Sequence, residues 1–399
     1  MMKSTLKLRP LVYFLPLLII LSSLFPAIRI AHALEMGFKA KAAVLLDFNS
    51  AEIIYSLNEH EKLFPASTTK IMTLLLALEA LQRGEITLQD EVPITQNAAS
   101  MGGSQLFLSQ GDVVDMESLL IGITVGSGND AAVAVAEYIA GSEGAFVELM
   151  NRRAAELKMM NTNFVNPTGL HGAKQYSTAY DLALLGRELL EHDIFFHWST
   201  IWMDENFLEG RIRSGKVYLS NTNRMVRSYR GCDGVKTGYT RDAGHCTVAT
   251  AKRNDTRFIA VVLGAPDSDT RYFEAGSLLD YGFANFKSVS LKDENEIIIT
   301  MPVEKGSLTE VNVLTAEKVS FLLKKGEEAD CTSEVILPRF LYAPLKKGEK
   351  VGEIVVSRGD AILKTVDLVV DRDVENASFP LLLRRYINSW LTFGRKKYK

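Results

Sequence analysis

Alternating apolar and polar positions occur near both ends of residues 37–286 and predict a single sheet. Residues 41–48 and 52–57 have strand patterns and are joined by the turn pair Asn49-Ser50, which indicates a hairpin. Strand patterns rich in β-branched and small residues return at 246–251 and 258–263. We therefore expect one sheet that is built from the start and the end of this region.

The sequence between these strands has apolar residues at helical spacing. One helix should follow Ser67, where the apolar run 74–81 begins a few residues later. Together with the strands, the helices predict a mixed α/β (α+β) domain over residues 34–286. Further helices are predicted over residues 116–123, 129–139, 145–159 and 271–286.

After residue 286 the pattern changes to short alternating runs that are punctuated by glycine, for example Gly306 and Gly348. This pattern predicts a small all-β sandwich over residues 287–376. The segment has no evident cluster of catalytic residue types, so a spacer or docking role is expected. The runs cover residues 296–300, 310–313, 319–321, 351–356 and 366–370.

The two ends of the chain have patterns of their own. Lys3, Lys7 and Arg9 precede an apolar stretch that ends in Ala31-His32-Ala33, which is the order of a secretory signal peptide. We expect residues 1–33 to be removed after Ala33, with an uncleaved membrane anchor as the alternative. Under either interpretation the rest of the chain is exported.

Residues 377–399 predict an amphipathic helix that is too short to span a bilayer and lies in its headgroup region. Basic residues follow it and favour anionic lipid. A helix docked on the protein's own surface, or a simple tail, is the alternative. The apolar face comprises Phe379, Leu382, Leu383, Tyr386, Ile387, Trp390 and Leu391, and Arg384, Arg385, Asn388 and Ser389 lie opposite.

Composition narrows the class of protein. The chain has 399 residues, of which 47% are hydrophobic and 23% are charged, as in a globular protein of two or three domains. A formal net charge of −3 gives no reason to expect a nucleic-acid partner. Three cysteines are too few for a disulfide scaffold. Cys232 and Cys246 flank a predicted hairpin, and two buried thiols are favoured over a disulfide.

Three short motifs carry the candidate chemistry. In Ser67-Thr68-Thr69-Lys70 the serine and the lysine share one face of a starting helix, so the amine can lie beside the hydroxyl. Ser127-Gly128-Asn129 heads a second helix, and Lys236-Thr237-Gly238 is expected at the start of an edge strand. Their order and flanking sequences match the triple signature of the penicillin-recognising serine acyl enzymes.

With the further segments 166–170, 262–266 and 279–283, the chain resembles the D-alanyl-D-alanine carboxypeptidases among the low-molecular-mass penicillin-binding proteins. The resemblance implies a catalytic domain, a β-rich second domain and a C-terminal membrane anchor at the outer face of the cytoplasmic membrane. It implies release of the terminal D-alanine from the D-Ala-D-Ala end of peptidoglycan stem peptides, with β-lactams as acylating inhibitors. No cofactor and no metal are expected.

The same resemblance assigns roles to the motif residues. Ser67 is the nucleophile, Lys70 its general base, Ser127 a proton relay, and Asn129 a partner of Lys70 or of the substrate amide. The nearby charge of Lys236 would disfavour protonation of Lys70.

On the substrate side, Lys236, Thr237 and Gly238 bind the peptide, the first two through its C-terminal carboxylate. Backbone N–H groups of Ser67 and Tyr239 would hold the oxyanion. Arg271 either reaches the carboxylate region or is an ordinary surface arginine.

Alternative functions exist on the same fold. A class A β-lactamase would need a glutamate for deacylation, and its usual Glu-x-x-Leu-Asn pattern is absent. A DD-endopeptidase would use the same site on cross-links. A non-catalytic β-lactam-sensing module would be favoured by degraded motifs, whereas all three motifs are intact.

Overall fold

The structure, a computed structural model, describes residues 36–327 and 331–393, so the predicted signal peptide lies outside the described residues. Short helical turns precede the two motif helices, at Ala66–Thr69 and Gly122–Gly126. In chain order the elements up to residue 285 are β1 (Ala42–Asp47), β2 (Ile53–Leu57), α1 (Lys70–Gln82), β3 (Glu91–Pro93), α2 (Gln96–Ala99), β4 (Val113–Asp115), α3 (Met116–Ile121), α4 (Asn129–Ala140), α5 (Glu143–Glu156), α6 (Ala179–Leu189), α7 (Ile194–Ser199), β5 (Met203–Ile212), β6 (Gly215–Ser220), α8 (Met225–Ser228), β7 (Cys232–Thr240), β8 (Gly244–Arg253), β9 (Thr256–Ala265) and α9 (Ser268–Asn285).

Strands from both ends of this region form one sheet, as predicted, and the sheet is antiparallel with the order β2-β1-β9-β8-β7. Gly186 of α6 packs on Ile259, and Gly282 of α9 packs on Phe258. Because adjacent residues of a strand point to opposite faces, α6 and α9 cover opposite faces of the sheet. β7 is one of the two outer strands, and its free edge is turned toward the helical part of the molecule that holds α1.

The second part of the chain is β-rich, in agreement with the predicted sandwich. A six-stranded sheet has the order β14-β16-β17-β12-β11-β15, and β10 pairs with β13 as a second sheet. Phe321 and Leu323 of the small sheet share a core with Val313, Val356 and Leu368 of the large one. The elements are β10 (Phe286–Lys292), β11 (Ile297–Glu304), β12 (Glu310–Thr315), β13 (Val319–Lys324), β14 (Cys331–Ile336), β15 (Leu341–Tyr342), β16 (Lys350–Arg358), β17 (Ala361–Val370) and α10 (Phe379–Phe393).

The β1–β2 turn connects the two parts. Asn49 Nδ2 donates to Ser288 Oγ at 2.9 Å, and Lys318 Nζ donates to Asn49 Oδ1 at 3.0 Å. Ser320 Oγ donates to the Asn49 carbonyl at 2.8 Å. Asn49, which the pattern marked as a hairpin signal, is therefore also a contact between the five-stranded sheet and the small sheet.

Helix α10 presents its apolar residues to solvent. Phe379, Leu383, Tyr386, Ile387 and Trp390 are exposed. From the polar side of the same helix, Arg385 donates to the carbonyls of Gly306 and Ser307 at 2.6 and 2.7 Å. The side chains of Ser389 and Leu391 and residues 394–399 lie outside what the structure describes. No helix in the described ranges is long and apolar enough to cross a membrane.

Some element boundaries differ from the predictions. The helix predicted over 116–123 ends at Ile121 and continues as a wider turn that brings Ser127 into a left-handed conformation, φ 63°. The Lys-Thr-Gly motif does lie on an edge strand, but the strand begins earlier, at Cys232. Cys232 and Cys246 are free buried thiols, which was the favoured interpretation.

Candidate active site

Ser67 lies in the helical turn that leads into α1. Ala66 adopts a left-handed backbone, φ 48°, which is uncommon for a residue other than glycine and redirects the chain just before the serine. Gly169 packs beneath this turn so closely that a Cβ there would lie 1.8 Å from the Ala66 carbonyl oxygen. The nucleophile candidate is therefore held by a strained turn and a loop that supports it.

Lys70 is fully buried one turn after Ser67. Its Nζ lies 3.1 Å from Ser67 Oγ, 2.6 Å from Asn129 Oδ1 and 2.7 Å from the Thr168 carbonyl oxygen. A neutral amine has two hydrogens and one lone pair. Donation to Asn129 and Thr168 uses both hydrogens and leaves the lone pair for the Ser67 hydroxyl.

Electrostatics favour that neutral form. Burial, and after it the positive charge of Lys236, hold the pKa of Lys70 well below its ordinary value, while Asp130 acts in the opposite direction. Burial and the charge of Arg271 lower the pKa of Lys236 to about 7. The charge of Lys236 thus disfavours protonation of Lys70, and the charge of Arg271 disfavours protonation of Lys236.

Ser127 and Asn129 approach from the start of α4. Asn129 Nδ2 donates to the Gly102 carbonyl at 2.6 Å, so the amide orientation that points Oδ1 at Lys70 is fixed. The buried carboxylate of Asp130 accepts from the N–H groups of Leu106 and Leu108 and anchors the neighbouring loop. Ser127 Oγ is buried and has no hydrogen-bond partner among the described residues, which leaves it available to a substrate.

The Lys-Thr-Gly strand forms the other wall. Lys236 and Thr237 are almost fully buried, and Thr237 Oγ1 lies 3.5 Å from the Thr222 carbonyl oxygen. A Cβ at Gly238 would lie 2.8 Å from the backbone nitrogen of Ser67, so only glycine lets β7 approach the serine this closely. Tyr239 is 59% exposed, and its ring stacks on His245 with centroids 4.4 Å apart.

Arg271 is 7% exposed and is therefore not an ordinary surface arginine. It extends from α9 to the backbone of β7 and β8. The Thr168 carbonyl was not among the predicted site residues. The sequence distinguishes segment 166–170 only by its resemblance to the family. It gives no sign of a backbone acceptor there, because a main-chain carbonyl is present in every residue.

A serine beside a buried amine, a second serine and a lysine-bearing strand on a mixed α/β fold define a serine acyltransferase of the penicillin-recognising class. The sequence model for D-alanyl-D-alanine carboxypeptidases matches residues 29–267. The model for the C-terminal domain of penicillin-binding protein 5 matches residues 286–376. The chain belongs to the D-alanyl-D-alanine carboxypeptidase family.

Individual relatives match between 62% and 90% of the chain. The D-alanyl-D-alanine carboxypeptidase DacF of Bacillus subtilis is 39% identical over 360 residues, 90% of this chain and 92% of the relative. Penicillin-binding protein 5 from Haemophilus influenzae superposes with a TM-score of 0.72 and 32% identity, over 85% of this chain and 98% of that one. Penicillin-binding protein D2 from Listeria monocytogenes, solved in its ampicillin-bound form, superposes with a TM-score of 0.56 and 28% identity, over 62% of this chain and 99% of that one.

Proposed function

We propose that this chain is a serine-type carboxypeptidase that removes the terminal D-alanine from peptidoglycan stem peptides through an acyl-enzyme on Ser67. The observation that carries the proposal is the buried Lys70 amine, 3.1 Å from Ser67 Oγ, with two acceptors for its two hydrogens. This arrangement supplies a base without any metal or cofactor.

The reaction has two halves. Lys70 takes the Ser67 proton while Oγ attacks the carbonyl carbon between the two alanines, and the N–H groups of Ser67 and Tyr239 stabilise the oxyanion. Lys70 returns this proton by way of Ser127 to the departing amine, the C–N bond breaks, and D-alanine leaves with Lys70 neutral again. Lys70 then takes a proton from water while the water oxygen attacks the ester carbonyl. The bond between that carbon and Ser67 Oγ breaks, Lys70 gives the proton to Oγ, and the shortened peptide leaves as its carboxylic acid.

The free carboxylate of the substrate is bound by Lys236 and Thr237. A buried cation and a neighbouring hydroxyl can form charge-assisted hydrogen bonds with a carboxylate, and these bonds replace the water that the carboxylate loses on binding. A β-lactam carries both a reactive carbonyl and a carboxylate, so it should acylate Ser67 and leave slowly.

The direct test incubates the purified protein with diacetyl-L-Lys-D-Ala-D-Ala and with penicillin. Release of D-alanine together with a penicillin-sized mass increment supports the carboxypeptidase. An increment without release would identify a sensor, and rapid loss of the increment a β-lactamase. Cleavage of cross-linked dimers at a rate matching D-alanine release would identify an endopeptidase.

The charge of Lys236 should set the pH dependence of acylation. Lys70 must be neutral to act, so kcat/KM rises with pH through the Lys70 pKa of the free enzyme. Lys236→Gln removes a positive neighbour, which raises the Lys70 pKa and moves this acid limb to higher pH. A thioester substrate without a carboxylate isolates this effect from substrate binding. An acid limb that stays in place would contradict the coupling.

We further propose that the enzyme acts outside the cytoplasmic membrane and is held at its surface by α10. The exposed apolar residues of α10 and the sequence of residues 1–33 support this location. Replacing Leu383 and Trp390 together by serine should weaken co-sedimentation with phosphatidylglycerol vesicles by about 100-fold or more, since each side chain contributes about 1.5–3 kcal/mol when buried.

Asn388→Ser on the polar side is the matched control and should sediment like the wild type. D-alanine release from a soluble peptide should be unchanged in both variants. Equal sedimentation of the double variant and the wild type would rule out the apolar face as the membrane contact.

A further inference from the structure

The Arg271 guanidinium contacts the main chain of two paired strands. Nη1 donates to the carbonyl oxygens of Gly238 at 3.1 Å and Cys246 at 3.2 Å, and these residues face each other in the β7–β8 pair. Nη2 donates to Ser268 Oγ at 3.2 Å and to Tyr272 Oη at 3.0 Å. One turn of α9 therefore holds the guanidinium, which in turn holds the Gly238 carbonyl.

This carbonyl is part of the peptide unit that carries the Tyr239 N–H. The Gly238–Tyr239 bond is trans, so its C=O and N–H point in opposite directions. With Gly238 O directed at Arg271, the Tyr239 N–H points away from Arg271. Gly238 itself lies against the backbone nitrogen of Ser67, the other proposed oxyanion donor.

We propose that Arg271 is a positioning residue for the oxyanion site. It holds the Gly238–Tyr239 peptide so that the Tyr239 N–H meets the developing oxyanion together with the N–H of Ser67. A hydrogen bond to the carbonyl also polarises the peptide and makes its N–H a stronger donor. This inference rests on the proposed acyl-transfer function and assigns Arg271 a role that does not depend on the substrate carboxylate.

The test compares diacetyl-L-Lys-D-Ala-D-Ala with the ethanethiol thioester of diacetyl-L-Lys-D-Ala, which has no carboxylate. Arg271→Lys keeps the charge that lowers the Lys236 pKa but loses the planar fork, in which Nη2 is held by Ser268 and Tyr272 while Nη1 holds the two carbonyls. We expect kcat to fall about 10-fold or more on both substrates, with little change in KM. Loss of an oxyanion donor costs roughly 10²–10³-fold in kcat, and this variant should lose a part of that, because the donor is misplaced and not removed. A loss confined to the peptide would overturn the proposal and make Arg271 a carboxylate ligand.

Two further measurements keep the result interpretable. The acyl carbonyl of the penicillin adduct should absorb at higher infrared frequency in Arg271→Lys, because its hydrogen bonds are weaker; an unchanged band would contradict the proposal. If Arg271→Lys does not fold, Tyr272→Phe provides the test, because it removes one acceptor of Nη2. It should lower kcat by about 3-fold on both substrates with little change in KM. Arg227→Lys is the matched control, because Arg227 is an exposed arginine whose guanidinium lies 5.4 Å from the Trp202 ring, and this variant should match the wild type. A wild type inactive on both substrates would contradict the proposed function and this inference with it.

Discussion

Ser67→Ala should lower D-alanine release by about 10⁶-fold, the loss seen when a serine hydrolase loses its nucleophile. The variant keeps the Lys70 amine, the Lys236 strand and the proposed oxyanion N–H groups, but it has no oxygen to form the ester. Intact-mass spectra after penicillin treatment should therefore show no increment. The fold should persist, because Ser67 is only half-buried and its side chain fills no core position.

The matched control is Ser100→Ala, an exposed serine at the end of α2. It should be labelled by penicillin and should release D-alanine as the wild type does. Continued labelling of Ser67→Ala would place the nucleophile on another residue, and peptide mapping of the adduct would name it.

Lys70→Met should slow acylation by penicillin by about 10²–10⁴-fold, the usual contribution of a general base. Methionine has a similar length and no charge, so the shape of the buried site is kept while the lone pair beside Ser67 is lost. Stopped-flow measurement of the acylation rate across pH is the appropriate assay. The residual rate should lack the acid limb that titration of the Lys70 amine gives to the wild type.

Lys174→Met, at an exposed position in the loop after the supporting segment 166–170, provides the control and should acylate at the wild-type rate. Unchanged acylation in Lys70→Met with the acid limb retained would assign the base to a different group. Thermal unfolding of both variants should be followed. In Lys70→Met, Asn129 Oδ1 and the Thr168 carbonyl lose their donor, which lowers the free energy of unfolding by about 1–3 kcal/mol for each.

Patterning was sufficient for much of the fold. Residues such as Val44 and Leu46 of β1 and Val261 and Leu263 of β9 alternate or cluster as buried strands do, and the two strands belong to one sheet, as predicted. β10 and β14 were not predicted. β14 has a mixed pattern that is exposed along much of its length, so its pairing with β16 depends on backbone hydrogen bonds that no pattern records.

The candidate site, like the fold, has parts that the sequence predicts and parts that it does not. The sequence shows the chemistry of four side chains of the site, those of Ser67, Lys70, Asn129 and Lys236. Ser67 Oγ and Asn129 Oδ1 both lie within hydrogen-bond distance of the Lys70 amine. The site features that the sequence did not predict belong to the main chain. They are the Thr168 carbonyl, the left-handed turn at Ala66, and the Gly238 carbonyl that Arg271 contacts. Backbone groups are the same in every residue, so only the fold reveals which of them face a site.

The free edge of β7 has a consequence for the kind of ligand that this fold admits. An unpaired strand edge accepts an extended chain and rejects a helical or tightly turned one. A stem peptide can add to it as a short extra strand, with main-chain hydrogen bonds providing much of the affinity and side chains only adjusting it. Recognition then begins with the conformation of the ligand's backbone, so a peptide methylated at the amide that faces β7 should be a poor ligand even with every side chain unchanged.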